Sequence, residues 1–210
     1  MLFRSLNVRK HNWTELPKEI QEMNALKVMR INYGPLEVVP DGIDTSFSKV
    51  SVLDLSYNAL TEVPESVGNM GINTLQLANN KLNELPDSVW GNDYVFHLEL
   101  DNNNISLIAS SIRSAKSLGR VYMSNNSLVN LPNELFDLSV ITMIVDGNKL
   151  NNIPSRIGVA KSLRYIKFNN NNNISIVPEE IGNLVKLSML DVRNNAIESL
   201  PTSMVNLKSL

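Results

Sequence analysis

The chain has no cysteine in 210 residues. That excludes disulfides, thiolate metal sites and cysteine nucleophiles, and it favours a reducing compartment, because secreted domains often rely on disulfides. Histidine is nearly absent. His11 and His97 are the two present, far apart in sequence and without a carboxylate cluster at ligand spacing, so no metal site is expected. An excess of one charge is also missing, since 19 Lys and Arg stand against 21 Asp and Glu. Without a basic excess or a basic amphipathic stretch, no nucleic acid and no membrane contact is expected. No run approaches the roughly 18 apolar residues of a membrane span, and the opening MLFRSLNVRKHNW lacks the apolar core of a signal peptide.

Signatures of chemistry are missing as well. Neither G-x-x-x-x-G-K-[ST] nor G-x-G-x-x-G after a strand nor G-x-S-x-G occurs. Paired carboxylates such as Glu99 and Asp101 read as solvated surface with unshifted pKa values. The expectation is a protein that is not an enzyme, with no catalytic residues and no cofactor.

What the chain has is periodicity. Prolines stand at Pro17, Pro40, Pro64, Pro86, Pro132, Pro154, Pro178 and Pro201, with Ala109 in the place of a missing one. Each unit of about 23 residues reads L-x-x-L-x-L-x-x-N-x-L-x-x-L-P-x-x-I-x-x-L. The third unit runs Val50, Leu53, Leu55, Asn58, Leu60, Val63, Pro64, Val67, Met70. Units open at Phe3, Leu26, Val50, Ile72, Val95, Leu118, Val140, Leu163 and Leu187. Leu210 would open a tenth, so one repeat domain over 1–210, belonging to a longer array, is the expectation.

This pattern resembles the leucine-rich-repeat family over essentially the whole chain. The tail L-P-x-x-I-x-x-L is similar to the Ras-group subclass. The resemblance implies an α/β solenoid shaped as a horseshoe, with a parallel sheet on the concave face and short helical or 3-10 turns on the convex face. It also implies a protein partner, of which a small GTPase or another signalling protein is the kind suggested.

The residues lead to the same architecture. In L-x-x-L-x-L the apolar side chains alternate, the period of a strand. One short strand cannot bury its own apolar side, so units must stack, with parallel strands about 4.8 Å apart. The stretch P-x-x-I-x-x-L has helical spacing. Proline suits the first position of a helical turn, and Glu19, Glu65, Glu134 and Glu179 suit its N-terminus. The asparagines Asn58, Asn80, Asn103, Asn126, Asn148, Asn171 and Asn195 fall where the chain turns while buried. A carboxamide both donates and accepts, so they are expected to form a structural ladder. His11 and Gly34 interrupt it, and the first two units should be less regular. The eighth unit carries one extra residue, predicting a bulge near Asn172 or Asn173.

Residues between the inward leucines point outward on the concave side. The first two units are basic there, through Arg4, Arg9, Lys10 and Arg30. The middle is acidic, through Asp54, Glu99, Asp101 and Asp146. Units six to eight bring Arg120, Tyr122, Ile144, Tyr165 and Lys167 together, and these are the candidate partner-binding residues. Tyrosine and arginine dominate interface hot spots. The competing account is that aromatic and branched residues simply favour strands. Together these readings point to a scaffold that binds another protein on the concave face, in signal transduction and in the cytoplasm. The alternative is a ligand-binding ectodomain of a receptor or receptor-like kinase. That reading would be extracellular and would use the sequons at Asn12, Asn104, Asn125 and Asn173.

Overall fold

A computed structural model of the chain describes residues 3–210. Within them the alternating segments form nine strands: β1 Ser5–Arg9, β2 Val28–Asn32, β3 Val52–Asp54, β4 Thr74–Gln76, β5 His97–Glu99, β6 Arg120–Tyr122, β7 Thr142–Ile144, β8 Tyr165–Lys167 and β9 Met189–Asp191. They make one open parallel sheet in sequence order, each strand pairing with the strands of the neighbouring coils. The register repeats without slip, so that Leu6, Met29, Leu53, Leu75, Leu98, Val121, Met143, Ile166 and Leu190 form one row. A one-residue slip would turn each strand's apolar set to solvent, and stacking therefore locks the register. The expected horseshoe-like solenoid is the fold observed.

The inward rows are buried almost completely from Leu26 to Leu187. Phe3, expected to open the first row, is 64% exposed, because the first described coil has a neighbour on one side.

Both expected kinds of convex turn occur. The first four are single α-helical turns, α1 Lys18–Gln21, α2 Ile43–Ser46, α3 Glu65–Gly68 and α4 Asp87–Trp90. The next five are 3-10 turns, at Ser110–Ser114, Asn133–Asp137, Ser155–Val159, Glu179–Asn183 and Thr202–Asn206. Proline sits one residue earlier than expected. Pro17, Pro64, Pro86, Pro132, Pro154, Pro178 and Pro201 are N-cap residues with extended ψ of 140–155°. Proline fixes φ but leaves ψ free, so it serves as the last extended residue as readily as the first helical one. In the second coil α2 starts after Gly42, whose φ is 76°, so this turn departs from the others as expected.

Two of the acidic residues after proline, Glu65 and Glu179, act between coils. The Ser88 backbone N–H donates to Glu65 Oε2 at 3.3 Å, one coil on. Thr202 and Ser203 N–H donate to Glu179 at 3.1 and 2.9 Å, and these bonds hold its carboxyl below the usual carboxylate range. Each acid thus satisfies the open N-terminus of the next coil's turn.

The asparagine ladder forms as expected. Asn103 Nδ2 donates to the Leu77 and Leu100 carbonyls at 3.0 Å each, while Leu82 N–H donates to its Oδ1 at 3.0 Å. Asn80, Asn126, Asn148 and Asn171 repeat this pattern. Asn172 adopts φ 64° at the predicted bulge. The inserted residue displaces the next N–H, and Asn195 Oδ1 is left without a hydrogen-bond partner.

The interruption at the first two units is a fitted pair. His11 Nδ1 accepts from Trp13 N–H at 3.2 Å. A Cβ placed on Gly34 would lie 2.2 Å from His11 Cε1. The imidazole fills the space that a side chain at 34 would need. Burial pushes the His11 pKa below its ordinary value, against a smaller opposing effect of the Asn58 side chain.

Candidate functional site

Beside the buried rows run three outward columns on the concave sheet. The central one places Tyr122, Ile144 and Lys167 at consecutive register positions on β6, β7 and β8. The column before it places Arg120, Thr142 and Tyr165 likewise. All five expected site residues therefore share three adjacent strands, about 10 Å across at the usual strand spacing. Tyr165 is 44% exposed, and Met189 continues its column. Tyr122, Ile144 and Lys167 are half-buried.

Two details differ from the even patch that spacing suggests. Thr142 is buried, leaving a notch between Arg120 and Tyr165. The Arg120 guanidinium leans back over the Phe96 ring, 5.8 Å from its centroid, a cation–π contact directed away from Tyr165. A Cβ on Gly119 would lie 2.2 Å from Phe96 Cε2, so glycine at 119 is what lets that ring lie there. Tyr122 packs against His97 at 5.1 Å between centroids. His97 Nε2 stands 3.7 Å from Glu99 Oε2, which also accepts from Gln76 Nε2 at 2.6 Å.

The acidic stretch is less solvated than the sequence suggests. Asp54 is buried, with Oδ2 accepting from Asn32 Nδ2 at 2.5 Å and Oδ1 from Ser56 N–H at 3.0 Å. Asp101 accepts from Ser124 N–H at 2.5 Å and Asp146 from Asn169 N–H at 2.9 Å. Burial nevertheless pushes both carboxyls above their ordinary values, with the Glu99 charge adding at Asp101. The expectation of unshifted carboxylates is corrected, because flanking side chains of the adjacent coils desolvate them. Glu99 shifts the other way, held down first by the neighbouring His97 imidazole.

These directions predict a pH effect. A carboxyl with a raised folded-state pKa costs stability while ionised, and the cost vanishes as pH falls through that pKa. Asp101→Asn keeps an acceptor for Ser124 N–H and removes the buried charge. It is expected to raise stability at pH 7, by under about 1 kcal/mol after solvent screening. Thermal melts of both proteins from pH 7 down to about pH 4 should show the advantage shrinking on acidification. A lower melting temperature for the variant at pH 7 would refute this account of Asp101.

One feature of this face is not signalled by the repeat consensus. One residue shortly beyond each strand, directly after it in coils one and two and three positions on in the others, turns left-handed, with φ between 54° and 62°. Asparagine or glycine fills this place at Asn79, Asn102, Asn125, Gly147, Asn170 and Asn194. Coil one carries Lys10 there, and coils two and three carry Tyr33 and Tyr57, whose rings stack 4.3 Å apart and 10° from parallel. The Arg9 guanidinium lies 4.7 Å from the Tyr33 centroid. Beside them is a concavity of about 270 Å³, lined among others by Arg30, Asp54 and Gln76.

Among the described residues no group of three or more His, Asp or Glu is arranged to hold a metal ion. No described helix is long and apolar enough to cross a membrane. The four sequon asparagines, Asn12, Asn104, Asn125 and Asn173, are exposed.

Comparison with known proteins agrees with this geometry. Residues 49–70 and 162–184 match the family model described as Leucine Rich Repeat. The chain is 29% identical over 177 residues to Ras guanine nucleotide exchange factor V of Dictyostelium discoideum, covering 83% of this chain and 8% of that protein. Its fold is similar to a leucine-rich-repeat protein of Leptospira interrogans, with a TM-score of 0.93 at 26% identity, over 98% of this chain and 52% of that one. It also matches the ectodomain of the Arabidopsis thaliana receptor kinase GASSHO1/SCHENGEN3, solved in complex with CASPARIAN STRIP INTEGRITY FACTOR 2. There the TM-score is 0.75 at 27% identity, over 93% of this chain and 24% of that one.

Proposed function

We propose that this chain, a leucine-rich-repeat protein by its repeats and its fold, is a protein-interaction scaffold. Its partner docks on the concave sheet around Arg120, Tyr122, Ile144, Tyr165 and Lys167. One observation carries the reading. Large side chains occupy consecutive register positions on β6 to β8, on a face where the core needs none of them. Such side chains bury much area with few rotors when a partner covers them. The neighbouring charges Lys167 and Asp146 set orientation more than affinity. A role in signal transduction, with a small GTPase or similar signalling protein as partner, is favoured by the Ras-group-like tail and by the likeness to a Ras exchange factor.

The test begins with a partner captured by the full-length protein. Tyr122→Ala and Tyr165→Ala should each weaken binding by about 2 kcal/mol or more, against under about 1 kcal/mol for a peripheral residue. Melting temperatures should stay close to wild type. The control is Arg156→Ala on the convex side, where Arg156 pairs with Asp137 at 2.6 Å. If that change weakens binding more than the tyrosine changes, the concave-face assignment is wrong.

A second reading, the ectodomain of a receptor, is favoured by the four exposed sequons and by the likeness to the Arabidopsis ectodomain. It requires N-glycans on the natural protein. A glycosidase that leaves the mass of the natural protein unchanged would exclude that use of the sequons.

A further inference from the structure

We propose that the N-terminal end of the concave face is a second recognition site, for an extended peptide that carries an aromatic side chain flanked by carboxylates. The proposal rests on reading the chain as a protein-binding scaffold, but not on where the first partner contact lies.

The first observation is the choice of residue at the left-handed turn. Bulky side chains disfavour positive φ, and asparagine and glycine are the residues that accept it. The other coils after the third follow that rule. Lys10, Tyr33 and Tyr57 break it in succession, and at the last two the bulky residue is an aromatic ring, which gives an ordered stack of Arg9, Tyr33 and Tyr57 from three consecutive coils. The core gains nothing from these rings, which are 41% and 46% exposed. The next coil offers only the shorter Asn79 at this place. The outer face of Tyr57 is therefore free to receive one more planar group, over a shallow hollow lined by Tyr57, Asn58 and Asn79.

The second observation is charge. Among the described residues, neither Arg9 nor Arg30 makes an ion pair. The carboxylates lining the same concavity have oxygens already engaged, Asp54 by Asn32 and Ser56, and Glu99 by Gln76. Two guanidiniums without a carboxylate partner, one of them stacked on the aromatic shelf, match a carboxylate next to an aromatic residue, since the guanidinium fork suits carboxylate geometry. A nucleic acid strand fits less well. Its run of phosphates would continue over Asp54 and Glu99, whereas a short acidic peptide stops at the arginines.

The test uses the full chain labelled with 15N, and three acetylated, amidated peptides: Gly-Glu-Trp-Glu-Gly, Gly-Lys-Trp-Lys-Gly and Gly-Glu-Ala-Glu-Gly. The acidic tryptophan peptide should shift the amide signals of Arg9, Arg30, Tyr33 and Tyr57. It should bind at least about tenfold more tightly than either of the others, and less tightly as salt rises. The double variant Tyr33→Asn, Tyr57→Asn restores the residue used in the other coils. It should melt no lower than wild type yet bind at least about tenfold more weakly. Arg30→Gln should weaken binding about fivefold or more. Equal binding by the double variant overturns the proposal, as does preference for the lysine peptide. So does displacement of the peptide by oligothymidylate at lower concentration than by itself, which would point to nucleic acid. Shifts confined to Tyr122 and Tyr165, or no shift at millimolar peptide, also overturn it while leaving the scaffold reading intact. Conversely, a captured partner insensitive to Tyr122 and Tyr165 would defeat the first assignment without touching this one.

Discussion

Leu77→Asp is expected to leave the protein without a cooperative thermal transition. Leu77 is fully buried, in the inward row between Leu55 and Leu100 of the adjacent coils. A carboxylate there has no partner and no water. Its burial costs far more than the roughly 5–15 kcal/mol by which domains are stable. Protonation would soften the penalty but still leave a polar group unpaired. The repeat architecture makes the damage spread, because each coil is held only through its neighbours, and breaking coil four separates coils one to three from the rest. Circular dichroism on heating should show a broad, weak change in place of a sharp one. Leu77→Met, close in volume, should cost less than about 1.5 kcal/mol and keep the sharp transition. A Leu77→Asp protein melting within a few degrees of wild type would mean that the inward rows do not form a continuous core.

Asn103→Ala is expected to destabilise by about 1–3 kcal/mol, the cost of stranding buried backbone groups. It removes the donor bonds to the Leu77 and Leu100 carbonyls, a longer one to Asp101, and one acceptor bond, from Leu82 N–H. For a chain of this length that corresponds to a fall of about 2–12 °C in melting temperature. The same change at Asn195 should cost clearly less. Asn195 is only half-buried, its Oδ1 has no partner, and it makes donor bonds only, to the Phe168, Val192 and Arg193 carbonyls. The comparison separates the ladder from a generic loss of polar side chains. Equal losses at both positions, or none at Asn103, would show that neighbouring water or backbone shifts replace the carboxamide without penalty.

The candidate site was legible in part. Strand alternation places Tyr122, Ile144 and Lys167 in one column and Arg120 and Tyr165 in the next, and the register follows. The tilt of Arg120 toward Phe96 was not legible, because it depends on Gly119 making room for a ring from the previous coil. Tyr33 and Tyr57 were open to notice, since they stand where every later coil has asparagine or glycine. Composition and consensus pass over them, because the variable positions of a repeat carry no apolar signature.

By itself, the sequence determined the solenoid, the parallel register, the inward rows, the asparagine ladder and an irregularity near Asn172 or Asn173. A period of two within each strand and of about 23 between coils assigns every residue to one side and one row, and burial of an apolar row admits one solution. The tertiary structure alone decided what depends on the coil above or below. It set the fit of His11 over Gly34, the reach of Glu179 to the next turn, the stack of Arg9, Tyr33 and Tyr57, and the burial that raises Asp101 and Asp146. It also divided the convex turns into α and 3-10 kinds. The spacing of a repeat states which residues are neighbours. Side-chain direction and solvent exclusion arise only when those neighbours, some 20 residues away in the chain, are packed against one another about 5 Å apart.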